Sequence, residues 1–251
     1  MSALFLGVLI FLCVSFAAFL AMRVNLVLPT PHRSPETKAV VNVAMGMVAT
    51  MTALILGLLV SSAKDKYQAE DKALKEIAVK IAFIDRALGL YGEQAQPVRA
   101  QLRNAVAASL VHRRTKTKSQ FEQMIPQRST TEALYFAVQQ LSPQNETQRA
   151  VKDMVLKNMY EISQAHWMLA GQSESSVCMP LLIFVISWLV ILFFSFGLFA
   201  PENGTVKIAF IISAVSVASA VFLILELDTP FDGFIKISSE PLAHTLKLLG
   251  N

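Results

Sequence analysis

Motifs that carry chemistry are what this sequence has least of. No Gly-rich phosphate loop, His-Glu-x-x-His pair or Gly-x-Ser-x-Gly elbow occurs in it, which removes the familiar signatures of nucleotide hydrolysis, zinc proteolysis and serine-type acyl transfer. Cysteine is scarce: Cys13 and Cys178 both fall in apolar runs, so neither a disulfide framework nor a thiolate metal site is expected. The histidines, His32, His112, His166 and His244, lie too far apart to share a ligand spacing and read as ordinary surface or interface residues. Charged residues make up only 16 % of the chain, and a net charge of +4 suits an anionic membrane surface while being too diffuse for nucleic acid. These absences predict a protein that is not an enzyme, with no catalytic residues, no cofactor and no metal.

What the chain does have is hydrocarbon. Hydrophobic residues reach 54 % with a mean hydropathy of +0.50, high for a soluble globule. The excess is concentrated in Ala3 to Met22, Val40 to Ser61, Val177 to Ala200 and Val206 to Leu225. Each window has about 20 residues with almost no charge, the length that crosses about 30 Å of hydrocarbon. Four transmembrane helices are predicted. The first is read as a retained span, because no Lys or Arg precedes it and its apolar run exceeds that of a signal peptide.

Most of the charge lies between the second and third spans. Four crossings put the amino terminus, this polar block and the tail on one side. Lys64, Lys66, Lys72 and Lys75 follow the second span closely, against Arg23, Arg33 and Lys38 in the opposite loop, so the positive-inside rule places the block in the cytoplasm. The expected division is residues 1–62 as spans one and two, 63–176 as a helical cytoplasmic domain, 177–228 as spans three and four, and 229–251 as an interfacial C-terminal tail. The basic run His112 to Lys118 reads as a solvated loop, with lipid or an acidic partner as the lesser alternative.

Periodicity within the block is helical. Tyr67, Leu74, Ile81 and Leu88, with Ile77, Ile84 and Tyr91 beside them, step by seven beyond the second span, and no Pro or Gly interrupts residues 58–88. One long helix is therefore expected to leave the bilayer and continue as a strut, its stripe facing either its own chain or a second copy. Val98, Leu102, Ala105, Val106 and Leu110 form another stripe after the break at Gly92 and Pro97. Ser129 to Glu132 has the form of a capping box before Leu134, Val138 and Leu141. Ser142 and Pro143 look like the cap of a last helix carrying Val151, Val155, Met159, Ile162, His166 and Leu169 on one face. The predicted class is an all-α integral membrane protein with four transmembrane helices and a helical cytoplasmic domain inserted between spans two and three.

Two stretches stand out as candidate sites. In the second span Asn42, Gly46, Thr50, Ala53, Gly57 and Ser61 recur every three to four residues as a small, weakly polar stripe, which either permits close helix packing in lipid or lines a pore. Near the end of the chain "LELDTPFDGF" places Glu226, Asp228, Pro230, Phe231, Asp232 and Gly233 at or just beyond the end of the fourth span. Carboxylates there are expected at an interface, paired or facing water. Pro230 should end the helix, Asp228 should cap the following turn, and Gly233 should supply a positive φ. The stretch reads as a mouth or gating joint between span and surface, with Phe231 and Phe234 as interfacial anchors.

The joint resembles the C-terminal signature of a bacterial membrane family called bestrophin-like, in which the fourth span ends Leu-Asp-x-Pro-Phe-x-Gly and continues Ile-x-Ile/Val-Ser. The matching residues here are Leu227, Asp228, Pro230, Phe231, Gly233, Ile235, Ile237 and Ser238. "LILGLLVSSAKDKYQAEDKALKEI" is similar to that family's second span and strut, with Gly57, Tyr67 and Glu76 at the expected places. The resemblance implies a homo-oligomeric ion channel of a bacterial inner membrane, with four spans per subunit and a pore lined by the second. Its implied partners are the lipid bilayer, further copies of itself and a permeant inorganic ion, with no nucleic acid. The aromatic constrictions of animal bestrophins have no counterpart in Val40 to Ser61, where Met45, Met47, Met51, Leu54, Ile55 and Leu56 supply the bulk. Ion sign therefore stays open, and so does a second class of function: a non-conducting membrane scaffold or sensor whose helical domain binds a protein partner. An intramembrane acid pair of Glu226 and Asp228 is a distant third.

Overall fold

The structure is a computed structural model that describes residues 3–27, 29, 34–112, 128–171, 179–229 and 234–249. Among these it is all-helical: α1 (Ala3–Val27), α2 (Pro35–Tyr91), a short 3-10 turn (Glu93–Ala95), α3 (Gln96–His112), α4 (Arg128–Gln139), α5 (Glu146–Gly171), α6 (Met179–Leu198), α7 (Gly204–Asp228) and α8 (Glu240–Leu248). Four helices, α1, α2, α6 and α7, are long and apolar enough to cross a membrane. The chain divides into two compact units, Met1–Lys66 with Ser175–Ile235, and Tyr67–Glu174 with Lys236–Asn251.

In the first unit α1 packs against both α6 and α7. Lipid tails are as apolar as leucine, so helices in a bilayer hold together by close contact rather than by escape from water. Small residues on α1 provide that contact: Gly7, Ala17, Ala18 and Ala21 are all buried. Gly197 of α6 comes so close to Ala18 that an added Cβ would overlap the Ala18 carbonyl oxygen. Ile10 and Val14 of α1, Leu59 and Ala63 of α2, Val185 and Leu189 of α6, and Val221 and Ile224 of α7 form the core. Just beyond the carboxyl end of α6, Lys38 Nζ donates to the Phe199 carbonyl at 3.4 Å, a cation where the helix dipole favours one. Asn203 is the N-cap of α7: its side-chain oxygen accepts from Val206 N at 2.9 Å.

Helix α2 is 57 residues long, about 86 Å at 1.5 Å per residue, nearly three times the hydrocarbon thickness. It begins earlier than its apolar run, at Pro35, because Ser34 caps it: Ser34 Oγ accepts from Thr37 N at 3.2 Å and Pro35 sits at the first helical position. Gly92, with φ of 109°, ends it in a conformation that a side chain would strain.

In the second unit the heptad stripe of α2 turns inward. Leu74, Ile77, Ile81, Ile84, Leu88 and Tyr91 are buried with Val98, Leu102 and Val106 of α3, Val138 of α4 and Val155 of α5. Of the two readings of that stripe, packing within the same chain is the one found. A bidentate pair, Arg99 Nε to Asp85 Oδ1 at 2.9 Å and Nη2 to Oδ2 at 2.8 Å, ties α3 to α2. Two helix starts differ from the sequence reading. Helix α4 already includes Arg128, so Ser129 is not outside it, and the side chains of residues 128–130 lie outside the described set. Helix α5 begins at Glu146 rather than after Ser142, because Asn145 is the better-placed cap: its Oδ1 accepts from Gln148 N at 2.8 Å while Gln148 Oε1 accepts from Gln144 N at 2.7 Å. Residues 229–251, expected as one interfacial tail, are split between the units. Lys236–Asn251 belongs to the second, where α8 packs on α3, Leu242 is buried, and Thr245 Oγ1 donates to the Ala78 carbonyl at 3.3 Å.

Candidate functional site

At about 100° per residue, the part of α2 in the first unit presents three faces. One, through Thr52, Leu59 and Ala63, is buried against the rest of its own chain. A second carries Val43, Met47, Leu54 and Leu58, all exposed. The third is the small stripe: Asn42, Gly46, Thr50, Ala53, Gly57 and Ser61 are each exposed. At Gly46 and Gly57 an added Cβ would meet nothing within 4 Å. The stripe thus serves no packing inside the chain, in contrast to the small residues of α1. Thr50 Oγ1 donates to the Gly46 carbonyl at 2.8 Å, which leaves the hydroxyl oxygen as an outward acceptor. An uncovered stripe of amide, hydroxyl and bare backbone on an otherwise apolar span is a surface that water or a second helix can occupy, and lipid tails cannot satisfy it.

The second cluster is at the carboxyl end of α7. Asp228 is 8 % exposed and Glu226 2 %. Lys66, on α2, donates from Nζ to Asp228 Oδ1 at 3.1 Å and to the Asp228 carbonyl at 3.2 Å, so one ammonium neutralises a carboxylate and also satisfies a last-turn carbonyl. Glu226 Oε1 accepts from the backbone amides of Phe234 and, at 3.2 Å, of Ile235. The returning chain is held there by a ring contact between Phe222 and Phe234, centroids 6.4 Å apart. Thr229 ends the helix with its amide on the Glu226 carbonyl at 3.3 Å and its hydroxyl on the Leu225 carbonyl at 3.1 Å.

Glu226 and Asp228 both lie buried at the end of α7, Asp228 on Lys66 and Glu226 on the amides of Phe234 and Ile235, while the turn that Asp228 is expected to cap lies outside the described residues. Pro230, Phe231, Asp232 and Gly233 lie outside the described residues, as do His32, Cys178 and the run 113–118. The side chains of His112 and His166 are likewise outside, whereas His244 and Cys13 are exposed. Lys66 was missed as a site residue, having been counted only among the lysines flanking the span. A signal did exist, since spans two and four both end on the same side, putting a base and an acid at one depth. Among the described residues no group of three or more His, Cys, Asp or Glu is placed to hold a metal ion.

Outside the spans, titration is perturbed at a few structural groups. Burial pushes the Tyr91 phenol up, and its hydroxyl oxygen is enclosed with no hydrogen-bond partner among the described residues. The hydrogen bond to Asp85 raises the Arg99 guanidinium further above its already high value. A hydrogen bond from Lys80 holds the Glu161 carboxyl below its ordinary range. All three belong to the second unit.

Comparison with known proteins bears on the whole chain. The family model of the Bestrophin-like domain matches residues 10–242. Among solved structures the chain is similar to a point mutant of a bacterial bestrophin homolog from Klebsiella pneumoniae, at 13 % sequence identity and a TM-score of 0.64, covering 98 % of this chain and 97 % of that one. No curated protein matches the sequence.

Proposed function

Because this chain belongs to the bestrophin-like family, we propose that it acts as a homo-oligomeric ion channel or pore in a bacterial inner membrane, with its large helical segment on the cytoplasmic side. The observation that carries this reading is the α2 stripe Asn42, Gly46, Thr50, Ala53, Gly57 and Ser61, which its own chain leaves uncovered. One copy encloses nothing along that face. Copies repeated around an axis would turn it into the wall of a pathway, as closed cyclic symmetry allows. Such a wall offers dipoles and small side chains without fixed charge, so it would pass a small inorganic ion by partial replacement of its hydration shell. Glu226 and Asp228 belong to a joint at the end of the fourth span in this reading. Both carboxylates are buried, Asp228 on Lys66 and Glu226 on the Ile235 amide.

The test is current through planar bilayers containing the purified protein under a salt gradient. Reproducible unitary currents support the channel, and their reversal potential assigns the sign of the ion. Silence across voltage, pH and calcium, from protein verified as folded and oligomeric, would instead favour a non-conducting scaffold whose helical segment recruits a protein partner.

A further inference from the structure

The first unit carries a cleft that the α2 stripe does not touch. It lies between the first half of α1 and the second half of α7, with Leu4, Val8 and Phe11 along one wall and Val215, Ser219 and Phe222 along the other. Its floor is Gly7 and Ala218, where the helices meet: a Cβ added to Gly7 would come within 3.3 Å of the Phe222 Cβ and 3.9 Å of the Ala218 carbonyl oxygen. The cleft holds about 230 Å³, ample for water, whose share of the liquid is about 30 Å³. Yet nothing in the lining can hold water. Ser219, its one polar side chain, donates its hydroxyl to the Val215 carbonyl at 2.7 Å, and an apolar cavity stays dry. Depth narrows the occupant further. Counting back from Asp228, the charged residue that closes the span, Phe222 lies about 9 Å and Val215 about 20 Å along the helix at 1.5 Å per residue. The cleft therefore runs from below the headgroups to about the middle of a hydrocarbon layer about 30 Å thick, the depth of one leaflet. At its shallow end the exposed Phe234 ring lies against Phe222, centroids 6.4 Å apart, and lengthens that wall toward the interface. A helix about 10 Å across would rest on the rims of a groove one side chain deep, whereas a polymethylene chain, one carbon wide, enters it.

We propose that this cleft is a binding site for one acyl chain of a membrane phospholipid, taken from the leaflet on the side where α7 ends and held with its headgroup near the level of Asp228. The site requires no permeation pathway and stands independently of the channel reading. A tail seated there touches protein on two walls and a floor, so it gains dispersion contacts that a tail lying against the exposed Ile208 and Ile212 of the same helix lacks. It is retained when the surrounding lipid is stripped away.

The test uses the full-length protein reconstituted in vesicles of phosphatidylethanolamine and phosphatidylglycerol, re-extracted into detergent and weighed by native mass spectrometry. The wild type should keep one phospholipid per subunit after the bulk lipid is gone. Ser219→Trp, whose indole fills the cleft from an exposed position, should lower that retention severalfold at unchanged oligomeric size. Ile208→Trp, an equal addition of bulk at an exposed site outside the cleft, should leave it unchanged. A wild type that keeps no phospholipid, or equal retention in the two variants, overturns the proposal. Loss of lipid together with a change of oligomeric size in Ser219→Trp assigns the cleft to a side chain of a second copy and overturns it as well. A second measurement maps the tail directly, by irradiating the wild type with a phosphatidylglycerol that carries a diazirine on its acyl chain and locating the adducts by peptide mass spectrometry. Adducts should concentrate in residues 4–11 and 215–222 and survive detergent washing. Adducts spread equally over Ile208, Ile211 and Ile212 would show ordinary surrounding lipid and refute the site.

Discussion

Lys66 and Asp228 are 162 positions apart in the sequence, and their pairing illustrates what a residue-level reading can and cannot find. The acid at the end of the fourth span was visible, and so was its need for a partner, because an ionisable group near hydrocarbon is expensive. Which base would answer depended on how α2 lies beside α7, and nothing local encodes that. The contact of Glu226 with the amides of Phe234 and Ile235 has the same origin, since it depends on where the chain returns after α7. Asp85 and Arg99, in contrast, are only 14 positions apart and form a bidentate pair in the second unit. Arg99→Ala should destabilise that unit by about 3 to 5 kcal/mol, since it leaves a buried carboxylate without its bidentate partner. Arg99→Lys should recover only part of this, because an ammonium lacks the planar fork. Chemical denaturation followed by circular dichroism checks both. Glu161 supports a milder expectation. The bond from Lys80 lowers its pKa in the folded state, so its contribution is present above the ordinary value of 4.5 and is lost as pH falls through the lowered folded value. Acid unfolding of Glu161→Gln should accordingly depend less steeply on pH than that of the wild type.

Among elements, the helices themselves were the most legible feature. Stripes such as Val98, Leu102 and Val106, or Val151, Val155 and Met159, were found from spacing alone and are buried. Their boundaries were less legible, because capping at Ser34 and Asn145 is decided by local hydrogen bonds that compete with nearby Ser and Pro signals. Small-residue stripes posed a different problem. Both α1 and α2 carry small residues within an apolar run, yet those of the α2 stripe are uncovered while Gly7, Ala17, Ala18 and Ala21 of α1 are buried in the packing surface of the unit. Apolar surroundings all round each span remove the contrast that marks a buried face in a soluble helix. Glycine substitutions separate the two cases. Gly197→Ala places a Cβ against the Ala18 backbone and should cost about 1 to 3 kcal/mol as α1 and α6 are forced apart. Gly46→Ala and Gly57→Ala, with nothing within 4 Å, should leave thermal stability of the solubilised subunit unchanged. Thermal melts in one detergent, compared side by side, would reveal any reversal of that order.

At the scale of the whole molecule, the four spans and the helical class followed from hydropathy and period, and the family match extends over residues 10–242. In the proposed channel the uncovered faces of α2 would be completed by further copies, which a single sequence does not display, and for that reason function was less legible than fold. The account's central claim is that the stripe Asn42 to Ser61, and not the neighbouring face of Val43, Met47, Leu54 and Leu58, borders the ion pathway. Substituted-cysteine accessibility tests this directly, in protein whose own Cys13 and Cys178 have been changed to serine. Single cysteines at Ala53, Gly57, Leu54 and Leu58 are exposed to a charged thiol reagent during bilayer recording. The account predicts a stepwise, irreversible change of unitary conductance for Ala53→Cys and Gly57→Cys and none for Leu54→Cys and Leu58→Cys. Modification that alters conductance only at the leucine positions, or at none of the four in a conducting protein, would contradict it.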